Sequence, residues 1–310
     1  MWRLTLFGAP TLEGNGRTQP LTRRKARALL TYLAVTQQAH SRETLTALLW
    51  PDHDQQQGRA DLSRILSNLR TALGADYILA DREQVALNDK KPLWVDVLHF
   101  RQELDACQEV TVGETDDDCR QQLATAVDCY QADFLAGFTL PGCPAFDEWQ
   151  FLQTEALRRD LSRALEKLVQ TYEARNAMTP AIVYAQRWVA LDPLHEAAQR
   201  RLMALYSRNG QRAEAHRQYQ LCERLLAEEL GIEPEPETTQ IYEQIRKGEA
   251  VKGITAVDGR SAVTVSLPKV LDQEIRYFLS QDNVRIAYSI VGNGPPLVWT
   301  ASFLRHLEFD

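Results

Sequence analysis

"RADLSRILSNLRTALG" occupies residues 59–74. Leu62, Ile65, Leu66, Leu69 and Leu73 recur at helical spacing and form one apolar stripe. The opposite side carries Arg64, Ser67, Asn68 and Thr71, flanked by Arg59, Ser63 and Arg70. An idle outside face does equally well with Glu and Lys, yet Glu is absent here. Arginine forks onto guanine, asparagine onto adenine, and hydroxyls bond either bases or phosphate. The face is therefore suited to DNA. Taken alone, the stretch fits an ordinary amphipathic helix with a polar outside just as well, so its neighbours decide.

Upstream, residues 2–7 and 10–12 alternate weakly and are punctuated by Gly8, Pro10, Gly14 and Gly16, which predicts short strands and tight turns. In "RRKARALLTYLAVTQ" (23–37) Ala26, Leu29, Leu30, Leu33 and Ala34 fall at helical spacing. "HSRETLTALLWPDHD" offers Ser41 as an N-cap, Leu45, Leu48 and Leu49 as an apolar stripe, and Pro51 as a stop. The opening helix follows and ends at Gly74, the expected C-cap residue. "YILADREQVALN" (77–88) reads as a hairpin around "DRE". Strands, three helices and a hairpin within about 100 residues is the order of a winged helix, whose third helix enters the groove. In that order the 59–74 stripe holds the helix on the other two and its polar face is turned to DNA.

Composition agrees with this for one part of the chain only. The 310 residues predict two or three domains, and 44% hydrophobic with 25% charged residues is ordinary for a globular protein. The net charge of −7 is divided unevenly: residues 1–100 hold 13 Lys and Arg against 10 Asp and Glu, residues 101–250 hold 16 against 26, and residues 251–310 hold 6 of each. Only the first part keeps the balance that suits a polyanion. No apolar run of about 18 residues predicts a membrane span, and the N-terminus lacks the pattern of a signal peptide, so the expected location is cytoplasmic. Cys107, Cys119, Cys129, Cys143 and Cys222 are odd in number, irregular in spacing and without a C-x-x-C, which argues against zinc and a disulfide framework.

From about residue 100 the chain reads as helices. "ELDACQEVTVGETDDDC" (103–119) is acidic and predicts a loop; "RQQLATAVDCYQADFLAGF" predicts one helix ending near Gly137. Residues 147–176 predict a long helix with Trp149, Leu152, Leu157, Leu161, Leu165 and Leu168 inward. Ala164, Leu168, Tyr172 and Ala181 recur 34 residues later as Ala198, Leu202, Tyr206 and Ala215, and Leu191 maps to Leu225. That period is the tetratricopeptide one. "RNG" (208–210) marks a turn between helices, and "DPLHE" (192–196) a break with Pro193 opening the next helix and His195 and Glu196 capping it. A helical array over 120–246 is expected to bind partners and not to do chemistry. Residues 247–272 read as a linker. "IRYFLS", "VRIAYSIVG" and "PLVWTAS" beyond it are three strand-like runs, in a segment of about 38 residues, too short to cover both faces of such strands.

Two stretches carry a family resemblance. "LTLFGAPTLEGNG", "LTRRKARALLTYLA", "SRETLTALLWPD", "ADLSRILSNLRTALG" and "DREQVALN" resemble the DNA-binding half of the antibiotic-regulatory-protein-like transcriptional activators, a response-regulator-type winged helix. "YQADFLAGFTLPGCPAFDEW" and "AQRWVALDPLHEAAQRRLMALYSRNGQRAEAHRQYQLCERLLAEELGIEPEPET" resemble the bacterial transcriptional activator domain that follows it. The resemblance covers residues 3–246. It implies a sequence-specific binder of double-stranded DNA that recruits RNA polymerase and assembles as a homo-oligomer on repeated half-sites. It implies Arg64, Ser67, Asn68 and Thr71 in the major groove, Arg59, Ser63 and Arg70 at its edge, and Arg82 at the wing tip for the minor groove. Arg23, Arg24, Lys25 and Arg42 at helix starts would touch phosphate; an ordinary solvated charge explains each of these four as well. The tail resembles the first strands of an α/β-hydrolase fold. Thr300, Ala301 and Ser302 stand where an oxyanion-hole motif would follow, and no G-x-S-x-G elbow occurs. The expectation is the start of a longer domain, a place for a small-molecule effector.

Other constellations are bland. His40, His53, His99, His195, His216 and His306 lack metal spacing; Asp116, Asp117 and Asp118 lack the alternation and glycine of a cation loop; "GNG" (292–294) is no phosphate loop. Trp50, Trp94, Trp149 and Trp188 are expected in the core. The reading is a non-enzymatic regulator with no cofactor, no metal and no membrane partner. Its fold is mainly α with a small β part: a winged helix over 1–98, a tetratricopeptide-like activator domain over 99–246, a linker over 247–273 and a short β-rich segment over 274–310. A protein-interaction scaffold, or the regulatory front end of a hydrolase, remain as alternatives.

Overall fold

The computed structural model describes residues 1–14, 17–19, 23–107 and 117–249, and the backbone of 275–279 and 285–289. The chain forms two compact units, 1–253 and 254–310. In the first, β1 (Trp2–Thr5), β2 (Thr11–Gly14) and β3 (Arg17–Thr18) make an antiparallel meander. Three helices follow: α1 (Arg24–Thr36), α2 (Arg42–Leu49), preceded by the short β4 (His40–Ser41), and α3 (Gln55–Leu73). The hairpin β5 (Ile78–Ala80) and β6 (Gln84–Leu87) pairs Ile78 with Leu87 and takes β4 as a third strand. β7 (Leu93–Val95) returns to pair parallel with β1, closing the sheet order β3-β2-β1-β7. The chain is mainly helical with this small β part, as the order of elements predicts.

Local chemistry sets the helix ends. Ser41 accepts the Thr44 N–H at 3.0 Å and caps α2, as its position implies. Asp54 does the same for α3 through the Gln57 N–H at 2.8 Å. Leu62, Ile65, Leu66, Leu69 and Leu73 are all buried.

The second half begins with two elements that the sequence reading did not separate, β7 and α4 (Asp96–Asp105). The expected 103–119 loop is narrower: Asp105 still belongs to α4 and Asp117 already to α5 (Asp117–Cys129), with 108–116 outside the described residues. The helix expected to run to Gly137 ends at Cys129. Leu135 takes φ 54°, which no helix accommodates, and the peptide chain from 130 to 138 turns back. The gain is contact between the two halves. Phe134 bridges to Phe7, the Leu135 N–H donates to the Leu6 carbonyl at 2.8 Å, and Tyr130, Phe134, Leu135 and Phe138 are all buried. Buried Asp96 completes this seam by accepting the N–H groups of Leu6, Phe7 and Val97. Burial pushes its carboxyl above the usual range, against the pull of these donors.

The long α6 (Pro144–Ala174) begins three residues earlier than expected and leaves Leu152 exposed instead of inward, because the N-terminal half of the helix is covered on one side only. α7 (Met178–Leu191), α8 (Glu196–Arg208), α9 (Arg212–Glu229) and α10 (Pro236–Lys247) follow. The 34-residue repeat is visible in the packing. Ala164, Leu168 and Ala181 are buried, as are Ala198, Leu202 and Ala215, while Tyr172 and Tyr206 are both half-buried. The turns also repeat: Asn176 and Gly210 both adopt left-handed φ, and the next N–H reaches back to Tyr172 and Tyr206 respectively. Pro193 lies in a turn before α8 and does not open it. His195 makes no side-chain cap; Glu196 instead accepts the Glu235 N–H and the Thr238 hydroxyl, docking the start of α10.

Of the expected tryptophan core, Trp50 and Trp188 are buried and Trp94 and Trp149 half-buried. In the second unit β8 (Ile275–Leu279) pairs antiparallel with β9 (Arg285–Ser289), matching two of the three strand-like runs. The third run, 296–302, which includes Thr300, Ala301 and Ser302, and most of the 247–273 linker lie outside the described residues.

Candidate nucleic-acid interface

The candidate interface is centred on α3. Two contacts fix this helix. At its start, a Cβ on Gly58 would lie 2.0 Å from Thr46 Cγ2, so glycine permits α2 and α3 to cross this closely. At its end, the Trp2 indole N–H donates to the Leu73 carbonyl at 2.9 Å, occupying one of the acceptors that a helix terminus leaves open. The Trp2 ring in turn lies where a Cβ on Gly14 would sit.

Held this way, α3 turns Ser63, Arg64, Ser67 and Thr71 to solvent, with Asn68 half-buried beside them. The Ser63 and Thr71 hydroxyls donate to the carbonyls of Arg59 and Ser67, one turn back along the helix. The Arg64 side chain is 71% exposed and donates from Nη1 to Asp61 Oδ1 at 2.8 Å. Arg59 reaches Glu43 of α2 at 3.2 Å. Arg70 points the other way: half-buried, it donates to the Ile78 carbonyl at 3.3 Å and ties α3 to the hairpin.

Arg42 joins three elements. From the first position of α2, its Nε donates to the Asp81 carbonyl at 2.8 Å, and Nη1 lies 3.4 Å from Ser63 Oγ. The hairpin tip itself is an Asx-type turn in which the Asp81 carboxylate accepts the N–H groups of Glu83 and Gln84, each at 2.7 Å. Those donors, Gln84 first, hold its carboxyl below the usual range. Arg82 stands exposed between them. Arg24 is exposed at the first position of α1, and Lys25 lies over the Trp50 ring at 4.9 Å. Arg23 is the exposed N-cap residue of α1.

The structure therefore gathers Arg42, Arg59, Ser63, Arg64, Ser67, Asn68, Thr71 and Arg82 around α3 and the hairpin, and leaves Arg24 and Lys25 on α1. It also reveals three carboxylates among the cations, Glu43, Asp61 and Asp81. The i, i+3 spacing of Asp61 and Arg64 was legible in the sequence; the Arg59–Glu43 and Arg42–Asp81 contacts depend on how α2, α3 and the hairpin meet. Among the described residues no group of His, Cys, Asp or Glu is arranged to hold a metal ion, and no helix is long and apolar enough to cross a membrane.

Comparison with known proteins bears on the whole arrangement. Residues 95–246 match the family described as Bacterial transcriptional activator domain. Two curated relatives are both named Regulatory protein AfsR. The one from Streptomyces griseus is 28% identical over 233 residues, 72% of this chain and 22% of that protein. The one from Streptomyces coelicolor is 24% identical over 281 residues, 89% of this chain and 27% of that protein. The chain thus spans about a quarter of the length of these relatives. A solved structure, Mycobacterium tuberculosis EmbR in complex with a low-affinity phosphopeptide, superposes with a TM-score of 0.65 at 18% identity, covering 93% of this chain and 77% of that one. That likeness is one of fold. The activator-domain match and the similarity to two regulatory proteins lead to one assignment: residues 95–246 of this chain are a bacterial transcriptional activator domain.

Proposed function

We propose that this transcriptional regulator binds double-stranded DNA in a sequence-specific manner, with α3 in the major groove and the β5–β6 tip over the adjacent minor groove. The observation that carries the reading is the uncovered face of α3. Arg64, Ser67 and Thr71 face solvent beside Asn68, while the opposite stripe is fully packed. These side chains supply a guanidinium fork, an amide and hydroxyls, the set that reads base edges. Arg42 and Arg59 lie at the helix flank, where phosphates would pass, and Arg82 reaches out from the tip. Arg24 and Lys25 would add phosphate contacts from α1. Arg70, engaged with the Ile78 carbonyl, serves the interface by fixing the hairpin to α3.

In this reading residues 1–98 form the DNA-binding domain and 99–246 the activator domain. The latter would contact RNA polymerase and a second copy of the chain on repeated half-sites. Residues 274–310 would open a further domain that receives a small-molecule effector, and the protein would work in the cytoplasm without an enzymatic step of its own. The family's regulatory character supports this over a catalytic role.

The test is fluorescence anisotropy of the 310-residue chain on the DNA upstream of its own gene and on a scrambled duplex, across a salt series. The expected result is at least about tenfold tighter binding to the upstream DNA, with affinity falling steeply as salt rises. Arg64→Ala should remove the preference. Equal, weak binding to both duplexes would sink the proposal and favour a protein partner for the winged helix.

A further inference from the structure

Asp61 stands out among the groups around α3, because a carboxylate is unwelcome beside a phosphate backbone. Its side chain is only 19% exposed and makes two contacts. Oδ1 accepts from Arg64 Nη1 at 2.8 Å, and Oδ2 lies 3.1 Å from His53 Nδ1, close enough for ion pairing but outside hydrogen-bond geometry. His53 sits in the turn between α2 and α3, its N–H bonded to the Trp50 carbonyl. Asp61 thus lies against the turn on one side and holds the Arg64 guanidinium on the other.

The bond uses one hydrogen of Nη1. The Nε and Nη2 hydrogens of the same planar fork carry no hydrogen bond among the described residues, and the side chain projects into solvent. A pair of parallel N–H groups on a fixed plane is what guanine O6 and N7 accept. An unrestrained arginine must freeze several torsions to present that edge, whereas one already tethered has less freedom to lose.

We infer that Asp61 is a positioning residue that orients Arg64 for bidentate recognition of a guanine, so that a carboxylate that never touches DNA sets base preference. The inference rests on the DNA-binding reading above. It opposes a simpler role, in which Asp61 only repels phosphate and lowers affinity for every duplex.

The experiment is selection from a pool of randomised duplexes with the 310-residue chain, followed by affinity measurements on the selected site and on single-base variants of it. The base read by Arg64 is the one whose preference disappears in Arg64→Ala. Asp61→Ala should reduce the guanine preference at that same base by roughly tenfold, leave other positions intact, and leave binding to scrambled DNA equal or tighter. In the Arg64→Ala background, Asp61→Ala should change nothing at that base. Asp61→Asn, which keeps the shape and one oxygen acceptor, should fall between. Each preference is a ratio within one protein preparation, so an unfolded fraction cancels. Tighter binding to all duplexes with the guanine preference intact in Asp61→Ala would overturn the inference and leave the DNA-binding reading standing. Failure of the wild-type chain to select any sequence would overturn both.

Discussion

Replacing Gly58 by alanine is expected to destabilise the winged helix even though alanine is the better helix former. A Cβ at this position would lie 2.0 Å from Thr46 Cγ2, where carbon atoms normally sit about 3.5–4.0 Å apart. Thr46 is buried, and its hydroxyl donates to the Arg42 carbonyl, which fixes the rotamer and keeps the methyl in place. Relief therefore requires α2 and α3 to separate. Overpacking of this kind costs about 1–3 kcal/mol, and the gain in helix propensity offsets about 1 kcal/mol. A net loss near 1 kcal/mol lowers the melting temperature by roughly 2–4 °C in a unit of this size. The assay is a double-mutant cycle by urea denaturation and calorimetry. Thr46→Ser removes the methyl and keeps the hydroxyl bond; in that background Gly58→Ala should become neutral or stabilising by up to about 1 kcal/mol. A Gly58→Ala effect of the same sign and size in both backgrounds would refute the argument from close approach. Because Arg59 follows Gly58 directly and Ser63 and Arg64 lie within two turns of it, the proposed DNA binding should be weakened more than the fold in the single variant, and Thr46→Ser should restore much of that loss.

Two further outcomes follow from the helical half. Asp133 is paired with Arg158 and accepts from Tyr130, and the arginine holds its carboxyl below the usual range. Its stabilising contribution is present above the ordinary aspartate value near pH 4 and is lost as pH falls through the lower folded-state value. Asp133→Asn should therefore reduce stability at pH 7 and converge with the wild type in acid; parallel denaturation curves at every pH would contradict this. Glu196→Ala strips the Glu235 N–H and Thr238 hydroxyl of their buried acceptor, at a cost of about 1–3 kcal/mol. Hydrogen exchange should accelerate across Pro236–Lys247 and stay slow in the middle of α6, and unchanged protection of α10 would count against the docking role.

Much of the architecture was legible without coordinates. The stripes in 24–36, 42–49 and 55–73, the Ser41 cap, the hairpin at 78–87 and the 34-residue period are local features, because side-chain spacing along one element sets them. The elements that escaped owe their state to distant partners. Leu93–Val95 is a strand because it pairs with Trp2–Leu4, and the 130–138 segment leaves the helix because Phe134 and Leu135 bind Phe7 and Leu6. A composition that reads as helix yields there to burial of four aromatic or aliphatic side chains.

The candidate interface divides along the same line. The chain alone determined which residues share the outer face of α3, since a helix turns Arg64, Ser67 and Thr71 to one side whatever surrounds it. Tertiary structure decided which cations around that face are engaged and by what. Arg42 bridges Asp81 and Ser63, Arg59 meets Glu43, and Arg70 turns inward to Ile78, each through contacts between elements. Periodicity assigns a side chain to a face because the backbone repeats. It assigns no partner across a gap, because the distance between two elements is set by the packing that joins them: Gly58 against Thr46 and Trp2 against Leu73.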